Sequence, residues 1–397
     1  MSTTIQKQNR NAFTLVELLV VIAIIGILAS LVTAAVFGAL NAARQGAYKQ
    51  QANTLNEGVE NYRNKYGDYP PDGSSWPIME RHLRKAFPQI LQSEMDLLAP
   101  VAPGANGGLQ IHNHFGGGYP FVMDPAEALV FFLGGFSSDP QRPFTGVGGP
   151  FLATSLPAVL QYNTRRSNSF FEFNTNRLSL RQRPNLAPAI SETIFVSEDD
   201  SRFFNIANDI LPVYLSDSGG IERTAPFVYF DSRTYVFLTN PAAPTSTFVN
   251  YYQRVLPTGT AADDRYGAIR PLVSKRPRTP VVPVGSRTIL QWLKSNEFMN
   301  DKTFQIIGPG GDGIYGGRLA QDVNLNELRD RCEALFVYSS GDSFSPVGVG
   351  GNSSGLIYSG WKLNQSVVTA PQYARSLGGE DNTANFSGTT FATSTDD

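Results

Sequence analysis

The chain has 397 residues, with 32 Lys and Arg against 34 Asp and Glu, a formal net charge of −2. That balance excludes a nucleic-acid binder working through a broadly basic surface, and 41% hydrophobic residues exclude a disordered chain. The single cysteine, Cys332, rules out an intramolecular disulfide, so other contacts must fasten the loops.

Residues 1–12 carry Lys7 and Arg10 and no acid. From Leu18 to Leu40 there is no charged residue. As a helix this run is about 35 Å long, enough to cross a bilayer core of about 30 Å. The next charges are Arg44 and Lys49, so charge asymmetry says little about orientation. The run is too long for an ordinary secretory signal, and no small-x-small cleavage site follows it closely. Glu17 stands at its edge, one turn from Phe13. An unpaired carboxylate there costs a few kcal/mol in lipid, and no Lys or Arg follows within reach in the helix, so a partner must come from elsewhere.

Ala12-Phe13-Thr14-Leu15-Val16-Glu17, followed by LLVVIAIIGILAS, resembles the N-terminal signal of type IV pilins and type II secretion pseudopilins. In that family a prepilin peptidase cuts after a small residue, usually Gly, and methylates the new N-terminal Phe. The resemblance implies a leader of residues 1–12, cleavage between Ala12 and Phe13, and N-methylation of Phe13. It also supplies the partner for Glu17, the amine of a neighbouring subunit. Two charges that are costly alone in lipid become tolerable when paired.

Beyond Arg44 the apolar positions are Tyr48, Ala52, Leu55, Val59, Tyr62 and Tyr66, spaced 4, 3, 4, 3 and 4. This is a helical stripe with polar residues between. Gly67 and Pro70-Pro71 end it. A helix over 13–67 is therefore expected, transmembrane over about 18–40, with its second half laid on a globular body of residues 68–397. Tyr66-Gly67-Asp68-Tyr69-Pro70 is also similar to the helix-to-loop junction of the major pseudopilins.

In the body, Asp124-Pro125-Ala126-Glu127 combines an N-cap acid, Pro at N1 and Glu at N3 ahead of LVFFL, which predicts a short buried helix. Thr193–Val196, Pro226–Phe230, Thr234–Leu238 and Phe304–Ile307 read as strands, and Thr288–Met299 as an amphipathic helix. The expected class is α+β and pilin-like: a long N-terminal helix packed on an antiparallel sheet with large insertions.

Two C-terminal patches suit a cation. One is Phe304-Gln305-Ile306-Ile307-Gly308-Pro309-Gly310-Gly311-Asp312-Gly313; the other is Gly378-Gly379-Glu380-Asp381-Asn382, followed by Asn385-Phe386. Their likeness to the calcium loops of major pseudopilins implies Asp312, Glu380, Asp381 and Asn382 as calcium ligands. Calcium takes six to eight oxygens from carboxylates, amides and main-chain carbonyls. About sixty residues separate the patches, where the family has a few.

Enzyme motifs are weak. Ser216-Asp217-Ser218-Gly219-Gly220 resembles a protease nucleophile loop, but nothing near His112 or His114 completes it. Gly351-Asn352-Ser353-Ser354-Gly355 fits a hydrolase elbow, yet no His follows residue 114. His112-x-His114 is followed, after Phe115, by three glycines, which reads as a loop rather than a metal site. The expectation is a structural subunit and not an enzyme, processed by prepilin peptidase and assembled with other pilin subunits through its N-terminal helix. It would be anchored once in a bacterial inner membrane, with its N-terminus cytoplasmic and its body periplasmic or extracellular. No organic cofactor and no nucleic-acid partner are expected. The alternative is a minor pilin or adhesin-like module at a filament tip, motivated by the enlarged body.

Overall fold

The computed structural model describes residues 15–99, 122–153, 160–182, 195–197, 210–216, 225–238, 247–253, 268–273, 297–310, 313, 315, 335–337, 343–345, 357–359 and 383–385. Leu15–Tyr66 form one continuous helix, α1, of 52 residues, about 78 Å long. It stops at Gly67, whose φ of +73° suits a residue without a Cβ. The Gly67 N–H donates to the Arg63 carbonyl at 2.7 Å, and Lys85 Nζ caps the Gly67 carbonyl at 3.0 Å.

Among the described residues three short α-helices follow. They are α2 (Trp76–Ala86), α3 (Gln92–Leu98) and α4 (Pro125–Leu133). The predicted start of α4 is present in full. Asp124 accepts from the N–H groups of Ala126 and Glu127 at 2.7 and 2.8 Å, while Glu127 accepts from the Asp124 N–H at 2.8 Å. Every residue of α4 is buried. Neither α2 nor α3 is among the elements expected from the sequence, although Met79, Leu83 and Ala86 fall at helical spacing behind Pro77.

The strands, in chain order, are β1 (Phe151–Ala153), β2 (Leu160–Tyr162), β3 (Leu180–Gln182), β4 (Phe195–Ser197), β5 (Val228–Asp231), β6 (Val236–Leu238), β7 (Thr247–Val249), β8 (Tyr252–Gln253), β9 (Ala268–Ile269), β10 (Leu272–Val273), β11 (Phe304–Gly308), β12 (Leu335–Val337), β13 (Ser343–Ser345), β14 (Ile357–Ser359) and β15 (Thr383–Ala384). The central sheet is antiparallel in the order β15-β11-β5, with Phe304 opposite Asp231 and Gly308 opposite Thr383. A second sheet runs β10-β12-β13-β14, with β10 and β12 parallel. The remaining strands form antiparallel pairs.

The central sheet is buried on both faces, which explains its unbroken apolar runs. Tyr229, Phe304 and Ile306 enter a core shared with Leu55, Val59 and Tyr62 of α1, Leu83 of α2 and Phe132 of α4. Val228, Phe230 and Ile307 alternate to the opposite face and join Tyr235, Tyr252, Leu272 and Tyr315. The one polar side chain within β11, Gln305, acts as a piece of backbone. Its Oε1 accepts from the Leu272 N–H at 2.8 Å, and its Nε2 donates to the carbonyls of Leu272 and Met299 at 3.1 and 2.7 Å.

The architecture is α+β, a long helix on small, mainly antiparallel sheets. The helix read over Thr288–Met299 is corrected at its end. Phe298 bridges Val273, and Met299 enters a turn with Asn300 at φ +51°. Packing of Phe298 against Tyr235 overrides the helical spacing there; residues 288–296 lie outside the described residues. Thr234 belongs to a 3-10 turn, and the strand read from it begins at Val236.

Candidate assembly site

Two surfaces follow one another along α1. From Leu15 to Leu40 the described large apolar side chains are exposed, Leu15 by 79% and Leu40 by 48%. Leu15–Thr33 is long and apolar enough to cross a membrane, with none of it buried against the body. Its hydroxyls suit that medium. Ser30 Oγ donates to the Ile27 carbonyl at 2.8 Å and Thr33 Oγ1 to the Ala29 carbonyl at 2.7 Å, so neither needs water. Glu17 lies in the first turn, on the exposed surface, where the positive end of the helix dipole favours a carboxylate. Ala12 and Phe13 lie outside the described residues.

From Tyr48 onward α1 is docked. Tyr48, Ala52, Leu55, Val59 and Tyr62 are buried, and Tyr66 packs against the same core. Polar contacts line the seam. Lys49 Nζ donates to the Ala384 carbonyl at 2.8 Å, and burial pulls the Lys49 ammonium below its usual range. Arg177 donates to Gln51 Oε1 at 2.9 Å. Asn385 donates to Asn56 Oδ1 at 3.0 Å while its own Oδ1 accepts the Ile306 N–H at 2.9 Å. The C-terminal strand therefore clamps helix to sheet.

The firmest fastening is a buried polar cluster at the exit of α1. Asp72 is fully buried. Its Oδ1 accepts from the N–H and hydroxyl of Ser74, and its Oδ2 from the Asp231 N–H at 3.0 Å, Asn250 Nδ2 at 2.9 Å and the Thr234 hydroxyl. Burial still pushes its carboxyl above the ordinary range, against those hydrogen bonds. Arg233 bridges Asp231 at 2.6 Å and Asp68 at 2.8 Å and donates to the Tyr69 carbonyl at 2.9 Å. Burial raises the Asp231 carboxyl to about 6 in spite of Arg233. Burial alone would lower the Arg233 guanidinium, but the Asp231 bond outweighs it and raises it. Burial opposes ionisation of Asp68 too, yet Arg233, His82 and Lys85 together hold its carboxyl low. No sequence motif marked this cluster, although Asp68 and Asp72 flank the Tyr69-Pro70 junction.

None of the four candidate calcium ligands, Asp312, Glu380, Asp381 or Asn382, is among the described residues, and neither are His112, His114, Ser218 or Ser353. Ser216 is buried, its N–H donating to the Ala225 carbonyl at 3.2 Å. Among the described residues no group of three or more His, Cys, Asp or Glu side chains is arranged to hold a metal ion. The acids around Asp72 are instead tied by Arg233 and neutral donors.

A family model, the prokaryotic N-terminal methylation motif, matches residues 7–33, the stretch that holds Ala12, Phe13 and Glu17. The chain is type IV pilin-like. The match marks it as a subunit of the kind that prepilin peptidase processes and that assembles with other pilin subunits, and the apolar half of α1 fits a single-pass membrane anchor. No curated protein and no solved structure matches the chain.

Proposed function

We propose that this protein is a structural subunit of a pilus-like filament, nearest in kind to a pseudopilin of a type II secretion system, and not an enzyme. Residues 1–12 are the leader, cut after Ala12 in the inner membrane. Phe13 then carries the N-methyl group, and its amine meets Glu17 of a neighbouring copy. The N-terminus starts in the cytoplasm, and the body lies across the membrane. One observation carries this reading: a helix that continues from a docked half into an apolar half whose described large side chains are exposed and which begins within the matched methylation motif. The test is the mass of the N-terminal peptide of protein recovered from its native membrane. A peptide starting at Phe13 with one added methyl is expected. A chain starting at Met1 or Ser2 overturns the reading.

Calcium is proposed as a fastener of the body. The register that sets Gly308 opposite Thr383 places the exit of β11 beside the entry of β15. The segments leading to Asp312 and from Asn382 thus join the sheet at one end, which supports a shared site for these oxygen ligands. Millimolar calcium is expected to raise the unfolding temperature of chelator-treated full-length protein in detergent, and Asp312→Ala to abolish the rise. No shift in the unaltered protein overturns the proposal.

A further inference from the structure

The docked half of α1 has a second face that the body does not cover. Gln50, Asn53, Glu57, Asn61 and Asn64 follow one another at spacings of 3, 4, 4 and 3, on the side away from Leu55 and Val59. Asn53 is half-buried and the other four are exposed. None of the five side chains has a hydrogen-bond or ion-pair partner among the described residues. Asparagine is a poor helix former, because its amide competes for the backbone. A face meant only for water is better served by Lys, Glu or Ala. Three asparagines and a glutamine around a single carboxylate therefore answer to something other than the helix. Their order is symmetric about Glu57. One turn away on either side stands Asn53 or Asn61, and two turns away Gln50 or Asn64. Glu57 is the only charge among the five, and Glu60, beside them, is already held by Tyr69 and Arg63.

We propose that this face binds a second copy of the chain, parallel and shifted along the helix axis by one or two turns, so that Glu57 accepts from an asparagine or glutamine amide of its neighbour. The proposal rests on the assembly reading above and adds to it a contact that sets the register of the bodies. Two copies laid together without a shift bring Glu57 against Glu57, and like charges across an interface cost affinity. A shift of one turn brings Glu57 level with Asn53 or Asn61 of the other copy, and a shift of two turns with Gln50 or Asn64. Each carboxylate then meets a donor, and a hydrogen bond to an ionised acceptor is among the strong ones. The face also runs on from the assembly site. Asn53 stands about ten turns above Glu17 on the same side of α1. A copy that meets Glu17 therefore stands over Asn53 as well. A shift of one turn is also what brings the Phe13 amine of one copy level with Glu17 of the next. The contact discriminates more than it binds: wrong shifts leave a carboxylate against a carboxylate or without a donor.

The test joins copies by disulfides in filaments of the full-length protein carrying Cys332→Ser. Differently tagged chains with Asn53→Cys and Glu57→Cys, or with Gln50→Cys and Glu57→Cys, are made together and oxidised after assembly. A mixed dimer from one of these pairs is expected, and none from Glu57→Cys with itself, because a disulfide spans too little to bridge a shift of a full turn. A Glu57→Cys dimer, or no cross-link at this face in filaments that form, overturns the proposal. If the cysteine variants do not assemble, charge decides. Asn61→Asp should lower filament recovery about tenfold while body unfolding barely moves, and Glu57→Gln in the same chain should restore it. Full recovery of Asn61→Asp, or no rescue, overturns the proposal. The unaltered chain keeps the two readings apart. If it retains Met1 and forms no filaments, the assembly reading falls and this contact with it. If it starts at methylated Phe13 and assembles, failed cross-links sink the contact alone.

Discussion

The two halves of α1 share one backbone and similar apolar side chains, yet they solve opposite problems. Leu19 is 55% exposed and Leu55 is fully buried. The docked half meets its own chain on one side only, with Gln50, Thr54, Glu57 and Asn61 left outside. The apolar half has no such division, because lipid or other helices must surround it. The lesson is that the apolar pattern reports who covers a helix. A one-sided stripe is covered by the chain itself, and an all-round run is covered from outside.

The comparison breaks most easily at the junction between the halves and the body. Asp72→Ala leaves the Asp231 N–H and the Asn250 amide buried without that acceptor. A loss of about 4 kcal/mol in urea unfolding of the full-length protein is expected. A loss under about 1 kcal/mol would mean that the cluster does not hold the sheet to the helix exit. Next in size is a matched pair. Leu55→Ala should cost the body about 3 kcal/mol by loss of buried surface and a residual cavity. Leu19→Ala should leave body unfolding unchanged and weaken only retention in the membrane fraction. Equal effects on unfolding would show that the apolar half also leans on the body.

What could be read in advance divides along sequence distance. The stripe of α1, its stop at Gly67 and the capping box of α4 use neighbours within a few residues, so they stand in the sequence. The apolar runs at β5 and β11 were legible as strands, but not that each serves two cores. The Asp72 cluster was not legible, because the partners of its Oδ2, Asp231, Thr234 and Asn250, lie 159 to 178 residues away. An acid beside prolines looks like a solvated turn until the other strand arrives. The same holds for Gln305, whose place between strands depends on Leu272. At the candidate assembly site, Glu17 stands out in the sequence because its cost is local: a carboxylate at the edge of an apolar run needs no tertiary contact to draw notice.

A smaller effect sharpens the seam. Asn385→Ala removes the side chain that joins Asn56 of α1 to the Ile306 N–H of β11. About 1–2 kcal/mol should be lost, with faster amide exchange at Ile306 and little change in α4. Uniform loss of protection across the body would mean that β15 is part of the global core rather than a local clamp.

The smallest effect concerns glycines, and it separates the halves without touching a large side chain. Gly58 lies in the docked half, where a Cβ would sit 3.3 Å from the Phe170 carbonyl and 3.4 Å from Leu133 Cδ1. There the body approaches the helix closely enough to use the missing side chain. Around Gly46 nothing lies within 4 Å of the same atom. Gly46→Ala should therefore raise local helix stability by up to about 1 kcal/mol, seen as slower amide exchange around residue 46, with no change in body unfolding. Gly58→Ala should gain less, because contact with Phe170 and Leu133 offsets the same propensity. If Gly46→Ala strengthens the single chain as expected but reduces its recovery in assembled filaments, the glycine is serving a neighbouring copy. The demand for it would then come, as for the apolar surface around it, from outside the chain.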